Sequence, residues 1–127
     1  FICTDDMKTR LQYIEIMKEF YKTKDPDVKP YYMIDIGNDV DFGQVVLFDL
    51  KGTLADIDRT GPSSDTKETP NCGERSLLGE QGLFINTFMS TIACEMFWRL
   101  ISQYNLEYNQ VFAHLGMMKL YSKLKFN

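Results

Sequence analysis

The longest apolar segment of the chain, residues 83–104, constrains the fold more than any other feature. Its apolar residues recur at spacings of three and four and cover most of the circumference of a helix. They are Leu83, Phe84, Ile85, Phe88, Met89, Ile92, Ala93, Met96, Phe97, Leu100, Ile101 and Tyr104. On the remaining polar strip, Glu95 stands four residues before Arg99, an orientation that favours an ion pair. These charges disfavour a bilayer span, so the pattern predicts a helix buried in a core or an interface.

Composition limits the class of protein. The 127 residues are enough for one domain, and 44% hydrophobic and 25% charged residues are ordinary for a soluble globular protein. A net charge of -4 without a dense basic run argues against nucleic acid or an anionic membrane as the main partner. The three cysteines are odd in number and form no CxxC pair, which indicates neither a disulfide framework nor a zinc site. A reducing, cytoplasmic location fits best.

The segments before the long helix predict one edge of an α/β sheet. Residues 1–3 are typical of the end of a buried strand, and apolar residues spaced by three and four predict a helix over 7–21. Asp25 and Pro26 stop that helix. The short β-rich runs at 31–36 and 44–50 predict two adjacent strands, each interrupted by one aspartate.

The remaining segments complete the predicted domain. Residues 51–71 are rich in Gly, Pro, Ser, Thr and Asp and predict a long mobile loop. Residues 111–115 and 118–126, on either side of Gly116, predict a closing β-hairpin whose last strand has one solvated face. Because the chain opens on strand-like residues without an initiator Met, we expect it to be the later part of a longer protein.

Asp5 lies between the predicted first strand and the first helix, and two interpretations of it remain open. An aspartate at this position is a common helix N-cap. In an open α/β sheet, ligands also bind outside the carboxyl ends of the strands, where a carboxylate can hold Mg²⁺ on a nucleotide phosphate. The local sequence by itself favours the cap.

Cys72 is the cysteine with a candidate chemical role. It lies in a polar stretch ahead of the long helix, whereas Cys3 and Cys94 are embedded among apolar residues. The helix dipole can stabilise a thiolate near a helix N-terminus, and the thiolate is the nucleophilic form. An incidental loop cysteine is the alternative. His114, the single histidine, has no partners in a triad order, which indicates a structural role.

Residues 46–56 resemble the nucleophile motif of haloacid-dehalogenase-type phosphatases, in which an apolar strand leads into Asp-x-Asp-Gly-Thr. Asp49 would be the nucleophile. Lys51 stands in place of the second carboxylate, and nucleophilic catalysis by a carboxylate needs such an acid-base group nearby. A phosphatase is therefore the least favoured interpretation.

Four segments, taken in order, resemble the ThiF, MoeB and HesA adenylating enzymes, most closely the ThiF-type member of the PRTRC plasmid systems. They are CTDD at 3–6 followed by Arg10, IDIGN at 34–38 with GQVVL at 43–47, PNC at 70–72 with FIN at 84–86, and the terminal hairpin. The family has Cys-Thr-Asp-Asn at a strand end, a Gly-Gln step that opens a strand, and a Pro-Ser-Cys-like element before a long apolar helix. The resemblance covers nearly all of this chain but only the later part of the family's domain.

The resemblance implies the C-terminal portion of a Rossmann-like adenylating domain, with a mixed sheet, two main helices, a terminal β-hairpin and a crossover loop at 51–71. It implies an ATP- and Mg²⁺-dependent reaction, in which the C-terminal carboxylate of a ubiquitin-like or sulfur-carrier protein attacks the ATP α-phosphate. The products are an acyl-adenylate and pyrophosphate. By position, Asp5 would hold Mg·ATP, and Cys72 would match the cysteine that receives the carrier as a thioester or handles sulfur. Family members usually form homodimers.

Departures from the family pattern limit what this chain alone is expected to do. The Gly-rich phosphate loop and the basic residues that contact ATP belong to the earlier half of the family's domain, so this fragment alone should neither bind ATP well nor catalyse. Asp6 replaces the usual asparagine beside Asp5. The CxxC pairs of many relatives are absent, so no zinc is expected. A non-catalytic ThiF-fold module that binds a protein partner is the alternative from another functional class.

Overall fold

The computed structural model describes residues 1–4, 7–23, 31–51, 82, 84–102 and 107–124, which form two helices and four strands. In chain order these are α1 (Met7–Thr23), β1 (Tyr32–Asn38), β2 (Phe42–Asp49), α2 (Ile85–Ser102), β3 (Gln110–His114) and β4 (Lys119–Lys123). The α/β class, the two main helices, the adjacent strand pair and the terminal hairpin are confirmed. The predicted loop lies, from residue 52 to 71, outside the described residues.

The four strands form one antiparallel sheet in the order β1-β2-β3-β4. The register places Ile34 opposite Leu47 and Val45 opposite Val111. Each strand follows its neighbour in the sequence, so the sheet is a simple meander. Strand β2 is hydrogen-bonded on both sides and contains half of the buried positions of the four strands.

One isolated parallel bridge joins Ile2 to Asp35 on the outer edge of β1. The N–H of Ile2 donates to the carbonyl of Ile34 at 2.8 Å, and the N–H of Ile36 donates to the carbonyl of Ile2 at 2.9 Å. Within the described residues, the prediction of a mixed sheet therefore holds only at this bridge, because β1 to β4 are antiparallel throughout.

The two helices cover opposite faces of the sheet, because neighbouring residues of a strand point to opposite sides. The core on the α1 face contains Ile2, Ile14, Met33, Val46, Phe48 and Leu50. The core on the α2 face contains Ile34, Val45, Leu47, Ile85, Met89, Ala93, Met96, Val111 and Ala113. Burial on both faces explains why β2 is a nearly continuous apolar run instead of an alternating one.

Two glycines allow helix side chains to approach the strands closely. A Cβ at Gly43 would overlap the buried side chain of Met89 on the α2 face. A Cβ at Gly37 would lie 3.0 Å from the guanidinium of Arg10 on the α1 face. Glycine in a strand interior often marks such a close approach, which gives both positions a physical reason for lacking a side chain.

In the structure of this chain, α2 is buried along one side, and the prediction of a helix packed in a core is confirmed for that side. Its buried residues are Ile85, Met89, Ala93 and Met96. Cys94, Phe97, Trp98 and Ile101, spaced by three and four residues, are exposed on another side, Trp98 to 60%. We call these four residues the exposed α2 stripe. The physical reason is that one sheet covers only one side of a helix, whatever the composition of the other sides.

Three other expectations can be compared with the structure. The predicted pair of Glu95 and Arg99 is confirmed, with Nε and Oε1 2.7 Å apart. The prediction of one buried face on the last strand is wrong, because β4 is an edge strand that neither helix buries, and all its residues are exposed. Cys3 and Cys94 are free and exposed despite their apolar sequence neighbours. The described residues contain no helix capable of crossing a bilayer.

Candidate functional site

The two residues for which the sequence predicts a chemical role, Asp5 and Cys72, lie outside the described residues. The structure does describe both flanks of Asp5. Ile2 pairs with β1 in the parallel bridge, Cys3 and Thr4 follow it, and α1 begins at residue 7. Residues 3–6 therefore connect a sheet bridge to the start of a helix.

A cleft of about 210 Å³ opens beside Cys3 and Thr4, between the carboxyl end of β1 and the first turns of α2. The lining residues are Cys3, Thr4, Ile36, Asn38, Asn86, Met89 and Ser90. The side-chain amide of Asn38 donates a hydrogen bond to Oδ1 of Asn86, which ties the strand wall to the helix wall. We call this the β1–α2 cleft.

The β1–α2 cleft presents hydrogen-bonding groups and no charged side chain among its described lining residues. Its polar lining residues include Cys3, Ser90, Asn38 and Asn86, whereas the hydroxyl oxygen of Thr4 is buried. The nearby N-terminus of α2 adds a partial positive charge. The volume of the cleft is below the roughly 300–1,000 Å³ of pockets that hold whole small-molecule ligands. The cleft is therefore too small for a complete nucleotide.

A buried ion pair lies next to the wall of the cleft. Nε of Arg10 on α1 is 2.9 Å from Oδ1 of Asp35 on β1, and their side chains are 8% and 0% exposed. Nη2 of Arg10 also donates to the carbonyls of Thr4, at 2.6 Å, and Ile36, at 3.2 Å. Thr4 and Ile36 both line the cleft, so Arg10 contacts two parts of its wall from behind.

The buried carboxylate of Asp35 has lost its hydration without gaining hydrogen bonds from the described residues. Although Arg10 is close, its Nε–H is not directed into a hydrogen bond, and neither carboxylate oxygen of Asp35 has a hydrogen-bond donor among the described residues. Burial raises the pKa of Asp35 to about 6, and the opposing attraction of Arg10 is the smaller effect. The loss of hydration therefore exceeds the ionic attraction at this site.

Other residues that the sequence brought forward lie apart from the cleft lining. Asp49 is buried at the end of β2, a strand that is antiparallel to both of its neighbours. Nδ1 of His114 is 3.6 Å from Oδ2 of Asp41 near the β3–β4 turn. No group of three His, Cys, Asp or Glu side chains suited to a metal ion occurs in the part of the chain that the structure describes.

The sequence motifs contain Arg10, Asp35, Asn38 and Asn86, but they predict no site role for Asp35 or for the polar cleft residues Asn38, Asn86 and Ser90. A signal for Asp35 exists in the sequence, because an aspartate that interrupts an apolar strand must find a partner if the strand is buried. For the asparagines and the serine there is no comparable signal, since these residue types are common on any surface.

The chain matches no model of a known protein family, and no curated protein is significantly similar to it in sequence. Function is therefore inferred from the residues and the geometry described above.

Proposed function

We propose that this chain is the C-terminal portion of an ATP-dependent adenylating protein of the ThiF, MoeB and HesA type, which activates the C-terminus of a ubiquitin-like or sulfur-carrier protein. The ordered sequence motifs suggest this class. One structural observation supports the proposal: the β1–α2 cleft lies beside Cys3 and Thr4, and these residues directly precede Asp5 in the sequence. The cleft lies at the carboxyl end of β1 and of the segment that contains Ile2, which runs parallel to β1. Ligands of α/β sheets bind outside the carboxyl ends of strands.

The chemistry assigned to this end of the sheet is the handling of a phosphate group. Asp5 would hold Mg²⁺, which proteins commonly bind through one or two carboxylates together with phosphate oxygens. Bound Mg²⁺ neutralises phosphate charge. Ser90, a lining residue, offers a hydroxyl for a phosphate oxygen. The carrier's carboxylate attacks the α-phosphorus, the bond to the bridging oxygen breaks, and pyrophosphate leaves.

The small size of the cleft agrees with a site that is shared between two parts of a longer protein. A volume of about 210 Å³ accommodates the phosphate end, while the base and ribose need a surface elsewhere. The resemblance assigns that surface to the earlier half of the domain. The fragment by itself is therefore proposed to be inactive.

The proposal has three further parts. Cys72 is the candidate nucleophile that accepts the activated carrier, with its thiolate attacking the acyl carbon and AMP leaving. The free cysteines Cys3 and Cys94 fit a reducing, cytoplasmic location. The exposed α2 stripe offers an apolar surface for a homodimer. Sedimentation that detects only monomer at high protein concentration would contradict the dimer.

The test is calorimetric titration of Mg·ATP into the full-length gene product, because it needs no knowledge of the carrier. We expect binding by the unaltered protein and loss of binding in Asp5→Ala, since the substitution removes the proposed metal ligand. Glu95→Ala is the matched control, because it removes an exposed acidic side chain on α2 that does not line the cleft.

Each result has a defined meaning. Binding that is lost in Asp5→Ala and kept in Glu95→Ala would support the adenylating function. No binding by the folded, unaltered protein would contradict it and favour the non-catalytic module that recognises a protein partner. Binding that survives in Asp5→Ala would contradict the role of Asp5.

A further inference from the structure

We propose that Arg10 is a positioning residue of the β1–α2 cleft: through Asp35 and two backbone carbonyls, it holds residues 3–4 against the carboxyl end of β1. The proposal concerns how the cleft wall is built. Its consequence for Mg·ATP affinity rests on the proposed function, because residue 4 leads directly into Asp5.

The contacts of Arg10 join three segments of the chain at one guanidinium. The side chain belongs to α1, its Nε approaches Asp35 on β1, and its Nη2 donates to the carbonyls of Thr4 and Ile36. A guanidinium is planar, with five N–H donors in fixed directions, so acceptors on different segments define one another's positions through it. Lysine has no equivalent geometry.

Thr4 depends on this contact. Its hydroxyl oxygen is buried and has no hydrogen-bond partner among the described residues. Its backbone carbonyl is bound by Arg10 at 2.6 Å, the shorter of the two carbonyl contacts. Residues 3–4 form one side of the cleft, so a shift of Thr4 would change the shape of the cleft directly.

Stability is a poor explanation for the Arg10–Asp35 pair. Asp35 is fully buried and accepts no hydrogen bond within the described residues, and burial raises the pKa of its carboxyl group despite the nearby arginine. Buried ion pairs of this kind often stabilise a fold less than apolar residues of the same size would. A pair whose desolvation offsets its attraction, and which fixes the relative position of three segments, fits a positioning role.

Amide hydrogen exchange of the Arg10→Lys variant of this chain, measured by NMR, tests the proposal. The amides of Ile2 and Ile36 form the parallel bridge beside the clamped segment. We expect their protection factors to fall by about tenfold or more, because lysine keeps the charge but cannot reproduce the charge-assisted hydrogen bonds. The amide of Asn109, which donates to the carbonyl of Lys123 on β4, is expected to change by less than about twofold.

A matched control and a second variant complete the experiment. Arg99→Lys makes the same substitution in the exposed pair on α2 and is expected to leave all three amides unchanged. Asp35→Asn removes the anchor of Arg10 while keeping the size of the side chain, and we expect it to lower protection at Ile2 and Ile36 even if Arg10→Lys does not fold.

Unchanged protection at Ile2 and Ile36, or an equal fall at Asn109, would overturn the positioning role. In the full-length gene product, Arg10→Lys is expected to weaken Mg·ATP binding while the protein stays folded. The exchange experiment uses no nucleotide, so a failure of the positioning role and a failure of the proposed function give different results.

Discussion

The helices on the two faces of the sheet are fixed in different ways. On one face, α2 packs through apolar side chains, with Met89 resting against the backbone at Gly43. On the other face, α1 adds to its apolar contacts a charged side chain, Arg10, which reaches a buried carboxylate over Gly37. Each face thus contains a glycine whose missing side chain leaves room for a helix side chain. Among the described residues, only the α1 face contains a buried ion pair at this position.

The difference separates two physical roles. Apolar packing is non-directional and scales with buried area, so the α2 face contributes stability without fixing individual polar atoms. An arginine bound to a carboxylate and two carbonyls imposes directions and distances, but its desolvation offsets much of the gain. We therefore infer that the polar contacts on the α1 face fix the positions of the segments that form the cleft wall. The following substitutions test this contrast, from the largest expected effect to the smallest.

Arg10→Met is expected to have the largest effect. It leaves Asp35 buried without a counter-charge and leaves the carbonyls of Thr4 and Ile36 without their donor. The free energy of unfolding at pH 7.5 should fall by about 3–5 kcal/mol, measured by urea denaturation. Replacing Asp35 by leucine in the same chain should restore most of this loss, because it removes the unpaired charge. A loss below about 1 kcal/mol for Arg10→Met would remove the distinction between the two faces.

Met89→Ala tests the apolar face. Met89 is fully buried and contacts the strand at Gly43, so its truncation should leave a cavity. We expect the free energy of unfolding to fall by about 2–4 kcal/mol, without dependence on pH between 4 and 8. Met89→Leu is the matched control and should lose less than about 1.5 kcal/mol. A pH-dependent loss for Met89→Ala would show that the α2 face is not purely apolar in its energetics.

Asp35→Asn should stabilise the protein, and only above the pH at which Asp35 ionises. Burial raises the pKa of Asp35 from 3.8 to about 6, so the folded state binds the proton more tightly than the unfolded state. The stability contributed by this group is fully present below pH 3.8 and is lost as the pH rises through 6. Asparagine stays neutral, and the variant should therefore exceed the original protein by about 1–3 kcal/mol at pH 7.5.

Denaturation curves of Asp35→Asn at pH 4 and pH 7.5 check this prediction. The two proteins should have equal stability near pH 4 and diverge as the pH increases. A variant that is less stable than the original protein at pH 7.5 would mean that the ion pair is net stabilising. A higher free energy of unfolding together with lower amide protection at Ile2 and Ile36 would show that the ion pair positions this segment without stabilising the whole fold.

Much of the fold follows from local sequence patterns. Apolar spacing predicts α1 and α2, and β-rich runs beside turn residues predict the strand pair and the hairpin. These features depend on interactions between near neighbours. The exposed α2 stripe could not be predicted in this way, because periodicity shows which positions are apolar but not how many sides of a helix the rest of the fold covers. The exposure of β4 has the same cause.

The candidate site was predictable only in part. The CTDD segment and Arg10 mark a strand-to-helix junction in the sequence, and the structure places a cleft beside residues 3–4. Asp35 is distant in sequence from Arg10, and the bridge at Ile2 brings the segments together. The contact between Asn38 and Asn86 depends in the same way on how α2 lies over the end of β1. Tertiary packing therefore determines the cleft wall, which no local motif specifies.

The most direct test of the account is protection of Cys3 from alkylation by Mg·ATP in the full-length gene product, followed by mass spectrometry of the modified peptides. Cys3 and Cys94 are both exposed and free, but only Cys3 lines the β1–α2 cleft. We expect saturating Mg·ATP to slow alkylation of Cys3 and to leave the rate at Cys94 unchanged. Bound Mg·ATP with an unchanged rate at Cys3 would contradict the placement of the nucleotide phosphates in this cleft.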